Sequence, residues 1–200
     1  MKELNDLKPI KGWEKIKGTH PGETMSAPPP GVYVCRIVEV SEMQSKTNRP
    51  MLKIDFDINE GEYKGYFSAD FENRQERGWE ARWGLSLYQL TDGNCLSNFK
   101  GLIEDIEKSN ANFTFEFNTA KLLGKVVAVM LDAEEYEYNG KFRQRLKAGR
   151  TYTLKQFAKG ECGQPCLIDV KGKRHKLDEH KPEPEDNPAP DHVDDLDIPF

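Results

Sequence analysis

The stretch "GKVVAVMLDAEEYEYNGKFRQRLKAGRTYTLKQF" (residues 124–157) decides the fold. Residues 124–138 read as a long strand whose first half is apolar on both faces, as expected where a strand helps close a barrel. Asn139-Gly140 is the strongest short hairpin signal, because both residues tolerate the left-handed backbone of a tight two-residue turn. Residues 141–157 then read as the returning strand. The stretch from Lys141 to Lys159 is basic: it carries Lys141, Arg143, Arg145, Lys147, Arg150, Lys155 and Lys159 and no acid.

Working outward, "SNFKGLIEDIEKSN" (97–110) predicts a helix with Ser97 as its cap and Phe99, Leu102, Ile103 and Ile106 on one stripe. Upstream, "GVYVCRIVEV" (31–40) is rich in β-branched residues and predicts a strand. "MLKIDFDI" (51–58) alternates strictly, predicting a half-buried strand with Leu52, Ile54, Phe56 and Ile58 inward. "YKGYFSADF" (63–71) is read as the third strand, and 72–95 as a less regular insertion with helical spacing at Trp79, Trp83 and Leu87. The element order is three strands, a helix and two strands. That is the order of the five-stranded Greek-key barrel that binds oligonucleotides or oligosaccharides. The expected fold is therefore mainly β: this barrel, with a helix between strands 3 and 4. Residues 1–30, ending in "SAPPP", form a linker or loosely docked arm; 31–160 form the barrel domain; 161–200 form a flexible acidic tail.

The formal net charge of −5 conceals two opposite segments. Residues 178–200 hold nine acids and one base, whereas residues 1–177 hold 28 bases and 25 acids. The body is thus weakly basic and the excess negative charge sits in the tail. No apolar run approaches the roughly 18 residues that a membrane span needs. The first residues lack the continuous apolar stretch of a secretory signal, and four cysteines in 200 residues make no disulfide scaffold. A reducing cytoplasm is the expected setting.

The chemistry that emerges is polyanion binding. On a strand of period two, Lys141, Arg143, Arg145 and Lys147 fall on one side, with Phe142 and Leu146 opposite. Such a rail suits a phosphate backbone, since each neutralised phosphate releases counterions. Unpaired bases also need flat surfaces, and each stacked base contributes about 1–3 kcal/mol. Tyr66, expected on a strand face with Lys64 and Ser68, Trp79 and Trp83 interleaved with Arg74, Arg77 and Arg82, and Tyr136 and Tyr138 beside the hairpin are the candidate rings. Lys53 and Arg150 complete the candidate nucleic-acid contacts.

Other chemistries have weaker signatures. Cys162, Cys166, His175 and His180 form C-x3-C-x8-H-x4-H, which approaches zinc-ligand arithmetic, but the central spacer is short and no apolar framework surrounds it. Asp55 followed by Glu62-Tyr63-Lys64 loosely suggests a metal-dependent nuclease. No Ser/His/Asp set and no phosphate-cradling glycine loop is present. The expectation is a non-enzymatic protein without cofactor or bound metal.

The chain closes on "DDLDIPF" (194–200). Ile198, Pro199 and Phe200 beside Asp194, Asp195 and Asp197 suit a partner pocket ringed by basic side chains, with the α-carboxylate paired to one of them. This tip resembles the acidic Ile-Pro-Phe terminus of bacterial and phage single-stranded DNA-binding proteins. The body, especially "PPPGVYVCRIVEVSEMQSKTNRPMLKIDFDINEGEYKGYF" (28–67), resembles phage-encoded single-strand binders of Gram-positive hosts. The resemblance implies an oligonucleotide-binding barrel that coats single strands in the host cytoplasm during replication or recombination. It also implies recruitment of helicase, primase, polymerase or recombinase through the tip, and is compatible with a homo-oligomer. The insertion at 72–95 and the N-terminal arm are longer than in the bacterial housekeeping type. The alternative reading is a recombination mediator or replisome adaptor that works mainly through protein contacts.

Overall fold

Residues 26–177 are described by a computed structural model. Among them β1 (Gly31–Gln44), β2 (Pro50–Ile58), β3 (Ser86–Leu90), β4 (Val126–Tyr138), β5 (Lys141–Tyr152), β6 (Cys166–Ile168) and β7 (Arg174–Lys176) form one mixed, unclosed sheet. The strands run in the order β3-β2-β1-β4-β6-β7, with β5 paired to the other edge of β4. All pairings are antiparallel except β4 with β6. β1 holds one edge of β4 as far as Leu131, and β6 takes over that edge at Ala133 and Glu134.

The long strands bend where their registers shift. One shift lies between Ile37 and Glu39 of β1, the other between Val129 and Leu131 of β4, opposite Gly149 and Arg150. Extra residues of this kind sharpen the local twist and let a strand curl around a core. Gly149 is required there: a Cβ would meet the Asp132 carboxylate at 2.7 Å and the Met130 carbonyl at 3.4 Å.

The concave side of the sheet packs Ile37, Ile54, Phe56, Val127, Val129 and Leu131 against the helix α2 (Leu96–Ser109). Leu102, Ile103 and Ile106 are its buried stripe, and Lys100, Glu104 and Lys108 face outward as i,i+4 ion pairs. Burial of this stripe, more than helix propensity, holds the element. β3 and β5 approach each other without ladder pairing, and α2 contacts both. The β4–β5 hairpin turns at Asn139 and Gly140, with φ of 53° and 73°, the backbone that the Asn-Gly dipeptide predicts.

Several sequence expectations are corrected. Residues 63–71 are not the third strand. Gly61 and Gly65 turn the chain with φ of 84° and 74°, and α1 (Tyr66–Glu76) follows. Its first turn is capped from a neighbouring strand: the Asp57 carboxylate accepts from the Phe67 N–H at 3.1 Å and from the Ser68 hydroxyl, besides its own neighbour Ile58 N–H at 2.9 Å. The third strand is 86–90, and Trp79 and Trp83 lie in the connection before it rather than on a helix. β2 is buried on both faces over Ile54–Ile58, because α1 and its following loop cover the side expected to be solvated. Cys95, not Ser97, precedes α2, without a side-chain cap. The returning strand ends at Tyr152, where Thr153 caps the short helix α3 (Leu154–Ala158) in a reciprocal capping box with Gln156. Residues 161–177, assigned to the tail, extend the sheet as β6 and β7. The remaining tail and the tip residues Asp194, Asp195, Asp197, Ile198, Pro199 and Phe200 lie outside the described residues, as does most of the N-terminal arm.

Candidate nucleic-acid interface

Cross-strand register builds the basic face of the hairpin. Lys141 sits opposite Tyr138, Arg143 opposite Tyr136, Arg145 opposite Glu134 and Lys147 opposite Asp132. These pairs share one face, so the four cations and two tyrosines expected from sequence are brought together. The guanidinium of Arg143 lies 5.2 Å from the Tyr138 ring centre, and that of Arg145 lies 5.3 Å from the Tyr136 ring centre. Each cation therefore lies on an aromatic face, where the ring quadrupole attracts it.

The strip is not free of acids, as its linear sequence implies. Glu134 accepts from Arg145 at 2.7 Å and from Lys147, across the ladder. Burial works to raise the Glu134 carboxyl, but hydrogen bonds and charge from Lys147 and Arg145 outweigh it and hold the group below the usual glutamate range. Lys141 and Arg143, by contrast, form no ion pair among the described residues. The β6–β7 hairpin walls the other side of this face. Between the two hairpins lies a groove of about 560 Å³, where Tyr136, Arg145, Lys147 and Arg174 share the lining with the carboxylates Glu134, Glu135, Glu137 and Asp169. Arg174 reaches to 3.6 Å from the buried carboxylate of Asp132, whose other oxygen accepts from the Cys166 N–H. Sequence reasoning missed Arg174 because it treated this segment as tail.

A second basic and aromatic surface lies on the outer side of β2 and β3. Lys53 is opposite Tyr88, and Tyr88 is 55% exposed. Lys53 also pairs with Asp55 at 2.7 Å, and Asp55 takes the Ser86 hydroxyl. Tyr88 escaped the sequence reading because its strand was placed elsewhere; the alternation of "SLYQL" (86–90) was the available signal.

The remaining candidates separate. Trp79 is 60% exposed, with the Arg77 guanidinium 5.5 Å from its ring. Trp83 instead packs on the core against Phe71, and its Nε1–H donates to the Phe56 carbonyl at 2.8 Å. Tyr66 is half-buried on α1 with its ring edge-on to Phe67, and burial raises its hydroxyl pKa. Neither ring is a free stacking platform. Lys64 is exposed in the turn before α1. Arg74 is tied to Asp70 at 2.8 Å, and Arg82 faces Glu80 at 3.6 Å on the surface. Arg150 lies beyond the register shift, over the Tyr152 ring, and lines a different groove with Leu87 and Asp105.

The other chemistries resolve similarly. Asp55 is buried, while Glu62 and Lys64 are exposed. No group of three or more His, Cys, Asp and Glu side chains able to hold a metal occurs among the described residues. Cys162 and Cys166 are free thiols and the His175 ring meets Asp169 at 2.9 Å; His180 lies outside the described residues. No described helix is long and apolar enough to cross a membrane. Neither the known protein-family models nor the curated proteins include a match to this chain.

Proposed function

We propose that this protein binds single-stranded DNA with little sequence preference, on an oligonucleotide-binding barrel to which β6 and β7 are appended. The barrel reading is supported by the order β3-β2-β1-β4-β5, by α2 falling between β3 and β4, and by the approach of β3 to β5. The observation that carries the function is the interleaving of Tyr136 and Tyr138 with Arg143 and Arg145 on one exposed hairpin face. Rings accept any base, and cations follow any phosphate, so the pair gives affinity without base-specific hydrogen bonds. The hairpin and the Lys53–Tyr88 surface would serve as two grips along one strand.

In this reading the acidic tail competes with DNA for Arg143, Arg145 and Lys147 as an internal polyanion. The tip recruits replication or recombination proteins when DNA displaces the tail. The test of the binding surface is a titration of fluorescent oligo-dT with the full chain and with Tyr88→Ala and Tyr136→Ala. Each loss of a stacked base is expected to weaken binding by about 1–3 kcal/mol, or roughly 5- to 150-fold. Unchanged affinity in both variants would refute this placement of the interface.

A further inference from the structure

A second, more apolar groove among the described residues takes no part in the proposed DNA surface. It has a volume of about 960 Å³ and lies between the far end of the β1–β2 pair and α2. Its apolar lining includes Met43, Met51, Leu96, Phe99, Phe115 and Phe117. Phe117 is 88% exposed, and its φ of 55° is a strained conformation for a bulky side chain. An apolar surface of this kind is usually covered. Three carboxylates stand on the same groove: Glu42, Glu104 and Glu107. Glu104 is answered by Lys100 and Lys108. Glu42 and Glu107 receive only a threonine hydroxyl and a backbone N–H, and make no ion pair among the described residues. The groove therefore calls for an occupant that is both apolar and cationic.

The N-terminal arm has that chemistry. Leu4, Leu7, Ile10, Trp13 and Ile16 recur at every third position, and residues 1–17 carry five lysines against three acids. The C-terminal tip is apolar too, but its aspartates would be repelled by Glu42 and Glu107. We propose that residues 4–16 dock in this groove of their own chain, with their apolar side chains against Phe99, Phe115 and Phe117 and their lysines toward Glu42 and Glu107.

The test places the photo-crosslinker benzoylphenylalanine at position 117 of the full chain, an exposed site that already holds an aromatic ring. A mixture of ordinary and nitrogen-15-labelled protein is irradiated at low micromolar concentration, and the crosslinks are mapped by mass spectrometry. The expected products join position 117 to residues 4–16 within chains of one isotope. Their yield should fall at least tenfold in an Ile10→Asp, Trp13→Asp double variant. Glu42→Lys, an exposed change, should lower it severalfold. Crosslinks that mix isotopes would assign the groove to a second copy and overturn the proposal. Crosslinks to residues 191–200, or none above background, would overturn it as well, and so would yields indifferent to both variants.

Discussion

Glu134 sets the balance of the basic face, because it holds two of the four cations that would otherwise meet phosphate. Replacing it by the neutral amide in Glu134→Gln should tighten single-strand binding severalfold. The plot of log affinity against log salt should steepen by about 0.7 for each cation released to a phosphate. Oligonucleotide titration at several salt concentrations measures both. The same carboxylate has a pH signature. Its folded-state pKa is lowered, so its ion pairs contribute fully above the ordinary glutamate value of about 4.3. That contribution is lost as pH falls through the lowered folded value. Acid melts of Glu134→Gln should accordingly lose less stability below about pH 4 than the parent protein. Gly149 is a purely structural residue. Gly149→Ala drives a methyl into the buried Asp132 carboxylate, and should cost about 1–3 kcal/mol in denaturant unfolding. The cationic strip itself was legible, since Lys141 to Lys147 alternate in sequence as they do on the sheet. Its counter-charge was not, because Glu134 reaches Arg145 only through the ladder register.

Among the elements, α1 shows how a segment can be decided from outside itself. Its residues include Tyr66, Phe67 and Phe71, which read as strand formers. What starts the helix is Asp57, ten residues upstream on β2, whose carboxylate satisfies the Phe67 N–H that the helix leaves unpaired. No local cap motif announces it. Asp57→Ala should leave those donors buried and unmet, at a cost of about 1–3 kcal/mol read from chemical denaturation. The α1 amides should also lose hydrogen-exchange protection first. α2 and the β4–β5 hairpin, by contrast, carry their signals within themselves, as an apolar stripe and an Asn-Gly turn. The periodicity of α2 correctly named Leu102, Ile103 and Ile106 as buried. The short strands β6 and β7 are three residues each, too brief to show a period, and hydrophilic enough to pass for tail.

At the scale of the whole molecule, the basic face and the acidic C-terminal segment carry opposite charges on one chain, which is the ground for the proposed competition. Deleting residues 191–200 should tighten single-strand binding at low salt, with the difference fading as salt screens it. It should also abolish capture of any replication or recombination partner. Element order carried the mainly β architecture into view from sequence, because helix and hairpin signals bracketed the middle of the chain. The open seven-stranded outcome was hidden, since the parallel pairing of β4 with β6 depends on a strand edge vacated where β1 begins at Gly31. The central claim is that rings and cations on this sheet grip unpaired polynucleotide. The most direct measurement is a parallel titration of labelled single- and double-stranded oligonucleotides of equal length with the full chain at 50 and 200 mM salt, about the range over which phosphate contacts weaken strongly. Tight single-strand binding that weakens with salt, and far poorer duplex binding, is the predicted result; no binding at low salt, or equal affinity for both forms, would contradict it.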